Sequence, residues 1–134
     1  MGYFLNCKKI ISLALLLCGC NWLFAQQPAL TESQKTDHLI AYVASLEGAV
    51  FIRNGSEHSP GEAAEHLQMK REKAGSRITT AIDFIEKVAT KSSMSGKPYQ
   101  IRFANGKTFS CETVLKVELK KLEEGKSKPL QRFR

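Results

Sequence analysis

Cysteine is scarce where it would matter. The 134-residue chain has four, and Cys7, Cys18 and Cys20 all lie near its start. If the first 25 residues are removed, only Cys111 remains, and no internal disulfide can form. Cys111 then reads as a small buried apolar residue. Tryptophan occurs once and proline four times, so collagen-like and proline-rich disordered classes are excluded. No apolar run reaches the about 20 residues of a spanning helix, so the chain is not a polytopic membrane protein. Chemical motifs are missing too. There is no Gly-x-Ser-x-Gly elbow, no Ser-x-x-Lys pair and no phosphate-binding Gly-x-x-x-x-Gly-Lys loop.

What is present begins with an export pattern. Lys8 and Lys9 close a short start without acids, and an apolar stretch from Ile10 to Leu17 runs on, less purely, to Phe24. Ala25 offers a small residue at a cleavage point. Residues 1–25 are therefore expected to be a signal peptide, with the mature protein in the periplasm. Leu17-Cys18-Gly19-Cys20 is a rival reading: it is similar to a lipobox, with Cys20 as the lipidated residue and the only link to a membrane.

The formal charge is +7, but it is not spread evenly. Residues 116–134 hold seven Lys/Arg and three Glu, whereas 26–115 hold eleven basic and ten acidic residues. The basicity belongs to the C-terminal end, read as a solvated, frayed tail.

Between leader and tail the pattern predicts one α+β domain. Residues 26–30 form a short leader, 31–124 the domain and 125–134 the basic frayed tail. Thr31 and Gln34 have capping-box spacing, and Leu39, Ile40, Val43 and Leu46 recur at helical spacing up to Gly48. Ala49 to Arg53 reads as a short strand ending in an Asn54-Gly55 turn. Ser59, Pro60 and Glu62 start a second helix that Gly75 stops. Thr79 or Thr80 caps a third, with Ala81, Phe84, Ile85 and Val88 as its stripe. A polar loop, 92–98, leads to a strand with Tyr99, Ile101 and Phe103 on one side. Asn105-Gly106 is expected to take positive φ at both residues and return the chain through Lys107 to Cys111. A last helix runs from about Thr113 to Glu124, lined by Leu115, Leu119 and Leu122 and widened by Val114 and Val117. The order helix-strand-helix-helix-β-hairpin-helix is winged-helix-like.

Four segments carry a family resemblance: Phe51 through His58, Ala63 through Leu67, Thr80-Ala81 with Phe84-Ile85, and Ser92 through Tyr99. On these the chain resembles a small bacterial envelope family of unknown function, the one that includes the enterobacterial protein YfeK. Val114-Leu115 stands where that family's pattern has a Trp-Leu pair. The resemblance implies an exported single domain and supplies no activity.

Candidate site residues fall in two loops. Arg53, Asn54, Glu57 and His58 combine a bidentate donor, an amide, a carboxylate and an imidazole in one turn, where Arg53 is expected to pair with Glu57. Ser93, Ser95, Lys97 and Tyr99 lie in the second. The leading reading is a non-enzymatic binding or accessory module whose surface joins the two loops and engages an envelope protein or cell-wall component. The alternative is a small hydrolase using His58 or His66 with a loop serine or a metal. Glu62 and His66, four apart on a helix, are the nearest approach to a metal pair, but no His-x-x-x-His signature supports them. No cofactor and no bound metal are expected. Nucleic acid is not an expected partner, because the third helix sets Asp83 and Glu86 against Lys87 and Lys91 rather than presenting a basic stripe.

Overall fold

The computed structural model describes residues 28–128. The expected signal peptide with Cys20, the first two leader residues and the far tail, 129–134, lie outside the described residues.

Four helices and four strands follow in order: α1 (Glu32–Ala44), β1 (Val50–Arg53), β2 (Ser56–His58), α2 (Pro60–Ala74), α3 (Ala81–Phe84, continued as a π-helical turn over Ile85–Ala89), β3 (Gln100–Arg102), β4 (Thr108–Ser110) and α4 (Cys111–Glu123). The strands form one antiparallel sheet in the order β2-β1-β3-β4. The architecture is α+β, as expected, with one addition: the single strand of the winged-helix order is here a hairpin, because the chain turns back at Asn54-Gly55 and pairs Arg53 with Ser56.

Helix starts are set by local chemistry. Thr31 with Gln34, Ser59 with Glu62 and Thr80 with Asp83 all form complete capping boxes, satisfying backbone N–H groups that the first turn cannot pair. Glu32 adds a long-range cap: its carboxylate accepts from the Ala81 N–H at 2.8 Å and ties α1 to the start of α3.

One core joins the four helices with β1 and β3. Leu39 and Val43 of α1, Leu67 of α2, Phe84 and Ile85 of α3, Ile101 of β3 and Leu115 of α4 are buried in it. Phe51 and Ile101 are register partners on the inward face of the sheet, so strand alternation sends Ile52, Glu57, Gln100 and Arg102 to the other face.

Two boundaries, one helical pitch and one stripe differ from expectation. Helix α1 stops at Ala44, four residues before Gly48. Helix α4 starts at Cys111 instead of Thr113, because the Ser110 hydroxyl accepts from the Thr113 N–H and caps the helix earlier. The third helix keeps its length but changes pitch after Phe84, where Thr90 donates its hydroxyl hydrogen bond to the Ile85 carbonyl at 2.7 Å. On α4, Val117 is half exposed, while Glu118 is buried against His38. The inward stripe runs through Val114, Leu115, Glu118 and Leu119, and Val117 falls on the opposite side.

Candidate binding surface

The two candidate loops meet. Asn54 stands at the tip of the first hairpin, and its amide nitrogen donates to the Ser92 hydroxyl at 3.4 Å while its carbonyl oxygen accepts from the Ser95 hydroxyl. Local chemistry places it there. Asn54 and Gly55 have φ of 52° and 80°, the mirror-image turn that suits a two-residue hairpin, and asparagine tolerates the left-handed region better than most residues. The receiving loop is held by its own serines. The buried Ser92 hydroxyl accepts from the Met94 and Ser95 N–H groups, and Ser95 accepts from the Lys97 N–H. The loop is closed by Gly96 N–H to Ser92 carbonyl and Ser92 N–H to Lys97 carbonyl bonds. Asn54, Ser93, Ser95 and Lys97 remain exposed on the joined surface, and Met94 at its tip is 98% exposed.

Strand pleating divides the rest of the 53–58 set. Glu57 points to the outer face and pairs with Arg102 at 2.6 Å, so the expected Arg53–Glu57 pair is replaced by a cross-sheet one. Arg53 and His58 line a small cavity between β1 and α2. The cavity, about 30 Å³, is bounded also by Phe51, His66, Leu67 and Cys111. The Nε2 atom of His58 is buried there and has no hydrogen-bond partner among the described residues.

Tyr99 belongs to this interior and not to the loop surface. It is 6% exposed, and its hydroxyl lies 3.2 Å from both His66 Nε2 and Lys70 Nζ. Burial first, then the positive charges of Arg53 and Lys70, push the His66 ring down to about 4, so it is neutral near pH 7. Burial likewise lowers Lys70, with Arg53 adding to the effect. Lys70 keeps its proton donors occupied: besides Tyr99 it bonds the Val88 and Lys91 carbonyls at 2.6 and 2.9 Å, groups left over at the end of α3. The Cys111 thiol is pushed up to about 12 by burial, which makes it an inert packing residue at neutral pH.

The hydrolase residues do not converge. The hydroxyls of Ser92 and Ser95 bond Asn54 and backbone, and His66 bonds Tyr99. Glu62 is engaged by the Ser59 N–H at 2.8 Å as a cap. Among the described residues no group of three or more His, Cys, Asp and Glu side chains is placed to hold a metal. A serine, a histidine and a carboxylate do meet elsewhere, at Ser127, His38 and Glu118. Ser127 and Glu118 both contact the same ring nitrogen, Nε2, so the ring does not stand between hydroxyl and acid as general-base catalysis requires.

Two further residues complete this region. Lys70 follows the buried Ala63, Ala64 and Leu67 along α2, and its partners come from the end of α3. Arg102 gave no sign of pairing with Glu57, since that depends on sheet register.

These features define a small α+β domain with a hydrogen-bonded two-loop surface over a histidine-lined interior. The chain belongs to a family of unknown function, DUF5329, whose model matches residues 30–123. It is 38% identical over 94 residues to "Uncharacterized protein YfeK" of Salmonella typhimurium, covering 69% of this chain and 76% of the relative. No solved structure matches.

Proposed function

We propose that the protein is exported to the periplasm and acts there as a non-enzymatic binding or accessory module, holding an envelope protein or cell-wall component against the joined surface of the first hairpin and the 92–98 loop. The observation that carries this reading is the double hydrogen bond of Asn54 to Ser92 and Ser95. It makes one pre-organised face from two loops and lowers the ordering cost of binding. That face offers amide, hydroxyl and ammonium groups around the exposed Met94, a flexible thioether suited to contact surfaces. Export is supported by the order of Lys8-Lys9, apolar stretch and Ala25.

The test is photocrosslinking in cells from position 94, with position 47 at the other end of the sheet as control, after fractionation of the envelope. A discrete adduct from 94, absent from 47 and lost in Asn54→Ala, is expected. Equal adducts from both positions, or a cytoplasmic protein of full mass, would overturn the proposal.

A further inference from the structure

A second concave region adjoins the loop surface at Ser93, where the end of α2 meets the π-helical turn of α3. It encloses about 350 Å³. Ligand pockets run from roughly 300 to 1,000 Å³, so this cleft is large enough for a small ligand, unlike the 30 Å³ cavity. Four cationic residues line it: Lys70, Lys73, Arg77 and Lys87. The first three are spaced i, i+3, i+7, which sets them along one side of α2 and the turn that continues it. Ala74, Ile78 and Val88 provide apolar lining, and Ser93 adds a hydroxyl from the polar loop.

Helix-end chemistry accounts for part of this charge. Arg77 donates to the Lys73 and Ala74 carbonyls at 3.2 Å, and Lys70 to those of Val88 and Lys91, as cations at helix C-termini do. It does not account for Lys73, whose ammonium makes no ion pair among the described residues. Asp83 pairs with Lys87 at 2.8 Å and accepts from the Thr79 and Thr80 N–H groups, and the Lys87 ammonium also donates to the Arg77 carbonyl at 3.1 Å. Glu72 is bonded to Gln68 and Glu86 is paired with Lys116, so neither is turned to neutralising the cleft. Like charges gathered in a cleft with low-dielectric walls repel one another and focus a positive potential, which an anion relieves.

We propose that this cleft is an oxyanion site of the phosphate class. Lys73 and the free edge of Arg77 supply the contacts, Ser93 supplies a hydroxyl donor, and Lys70 and Lys87, whose ammonium groups are already hydrogen-bonded, stand at the wall. The same chemistry serves a free phosphate or the phosphate of a lipid headgroup.

The experiment follows backbone amide shifts of the purified protein as inorganic phosphate is added, beside sodium chloride at matched ionic strength. Cosedimentation with phosphatidylglycerol and phosphatidylcholine vesicles forms a second arm. Saturable shifts confined to the amides of residues 73–78 and 87–93, weakened roughly tenfold by Lys73→Glu, are expected. Vesicle binding that requires phosphatidylglycerol and is lost in Lys73→Glu, with weak response to free phosphate, would assign the site to a lipid headgroup. Lys73→Gln, which removes charge without reversing it, should lie between wild type and Lys73→Glu. Shifts equal to those from chloride, together with vesicle binding absent or indifferent to Lys73, would overturn the proposal.

Discussion

His38 and His66 sit in comparable places, each half-buried on a helix that packs on the core, and their surroundings differ. His38 on α1 meets the buried Glu118 of α4 at 2.9 Å and the Ser127 hydroxyl. His66 on α2 meets the neutral Tyr99 hydroxyl, with Arg53, Lys70 and Lys73 adding positive charge. Burial, with those cations adding to it, disfavours an imidazolium at His66, while His38 is held by two side-chain hydrogen-bond partners. The same residue type therefore anchors the C-terminal end of the domain at one site and keeps a neutral interior at the other.

The sharpest way to break this contrast is at Glu118. Glu118→Ala removes the carboxylate that bonds both the His38 ring and the Ser127 hydroxyl and is expected to cost about 2–3 kcal/mol, read from urea unfolding. A loss within error would show that α4 relaxes and that the pair contributes little. On the other side, Tyr99→Phe removes the hydroxyl shared by His66 and Lys70 and is expected to cost about 1–2 kcal/mol by the same measurement.

Acid titration sharpens the comparison further. Folding lowers His66 from its ordinary 6.5 to about 4, so the unfolded chain binds the extra proton between those values. The stability tied to a neutral His66 is fully present above about 6.5 and falls as pH drops toward about 4. His66→Gln should flatten that part of the stability–pH profile. An unchanged acid slope in this variant would place its origin elsewhere.

The smallest expected effect concerns the two Asn-Gly turns. Asn54→Ala gives up the contacts to Ser92 and Ser95 and puts alanine at positive φ, for about 1 kcal/mol. Asn105→Ala loses only a local bond to the Lys107 N–H, and roughly half that cost is expected. Equal losses would mean that the Asn54 bridge adds nothing beyond its turn.

Those turns also show how far a dipeptide can be read. Positive φ at both residues holds for Asn54-Gly55 but not for Asn105-Gly106, where Gly106 alone has φ of 83°. The second hairpin is a three-residue one: Gly106 N–H bonds the Phe103 carbonyl at 2.8 Å and Phe103 N–H bonds that of Lys107 at 2.9 Å, a type I turn closed by a left-handed glycine. The loop length is set by which residues the flanking strands pair, and Arg102 pairs with Thr108.

Local chemistry in the chain was enough to determine the α+β class, the capping boxes of α1 and α2, the end of α2 at Gly75 and the buried stripe of α3. Each depends on contacts within about one helical turn, so neighbouring residues carry the whole signal. The meeting of Asn54 with Ser92 and Ser95, the turning of Glu57 to Arg102, the burial of Glu118 in place of Val117, and the bringing of Lys87 and Ser93 to the Lys70, Lys73 and Arg77 side of α2 were decided by the tertiary structure. Strand alternation sends adjacent residues to opposite faces, and helix packing chooses which side of a stripe is inward. Both follow from register with a distant partner, and a run of residues read alone does not contain it.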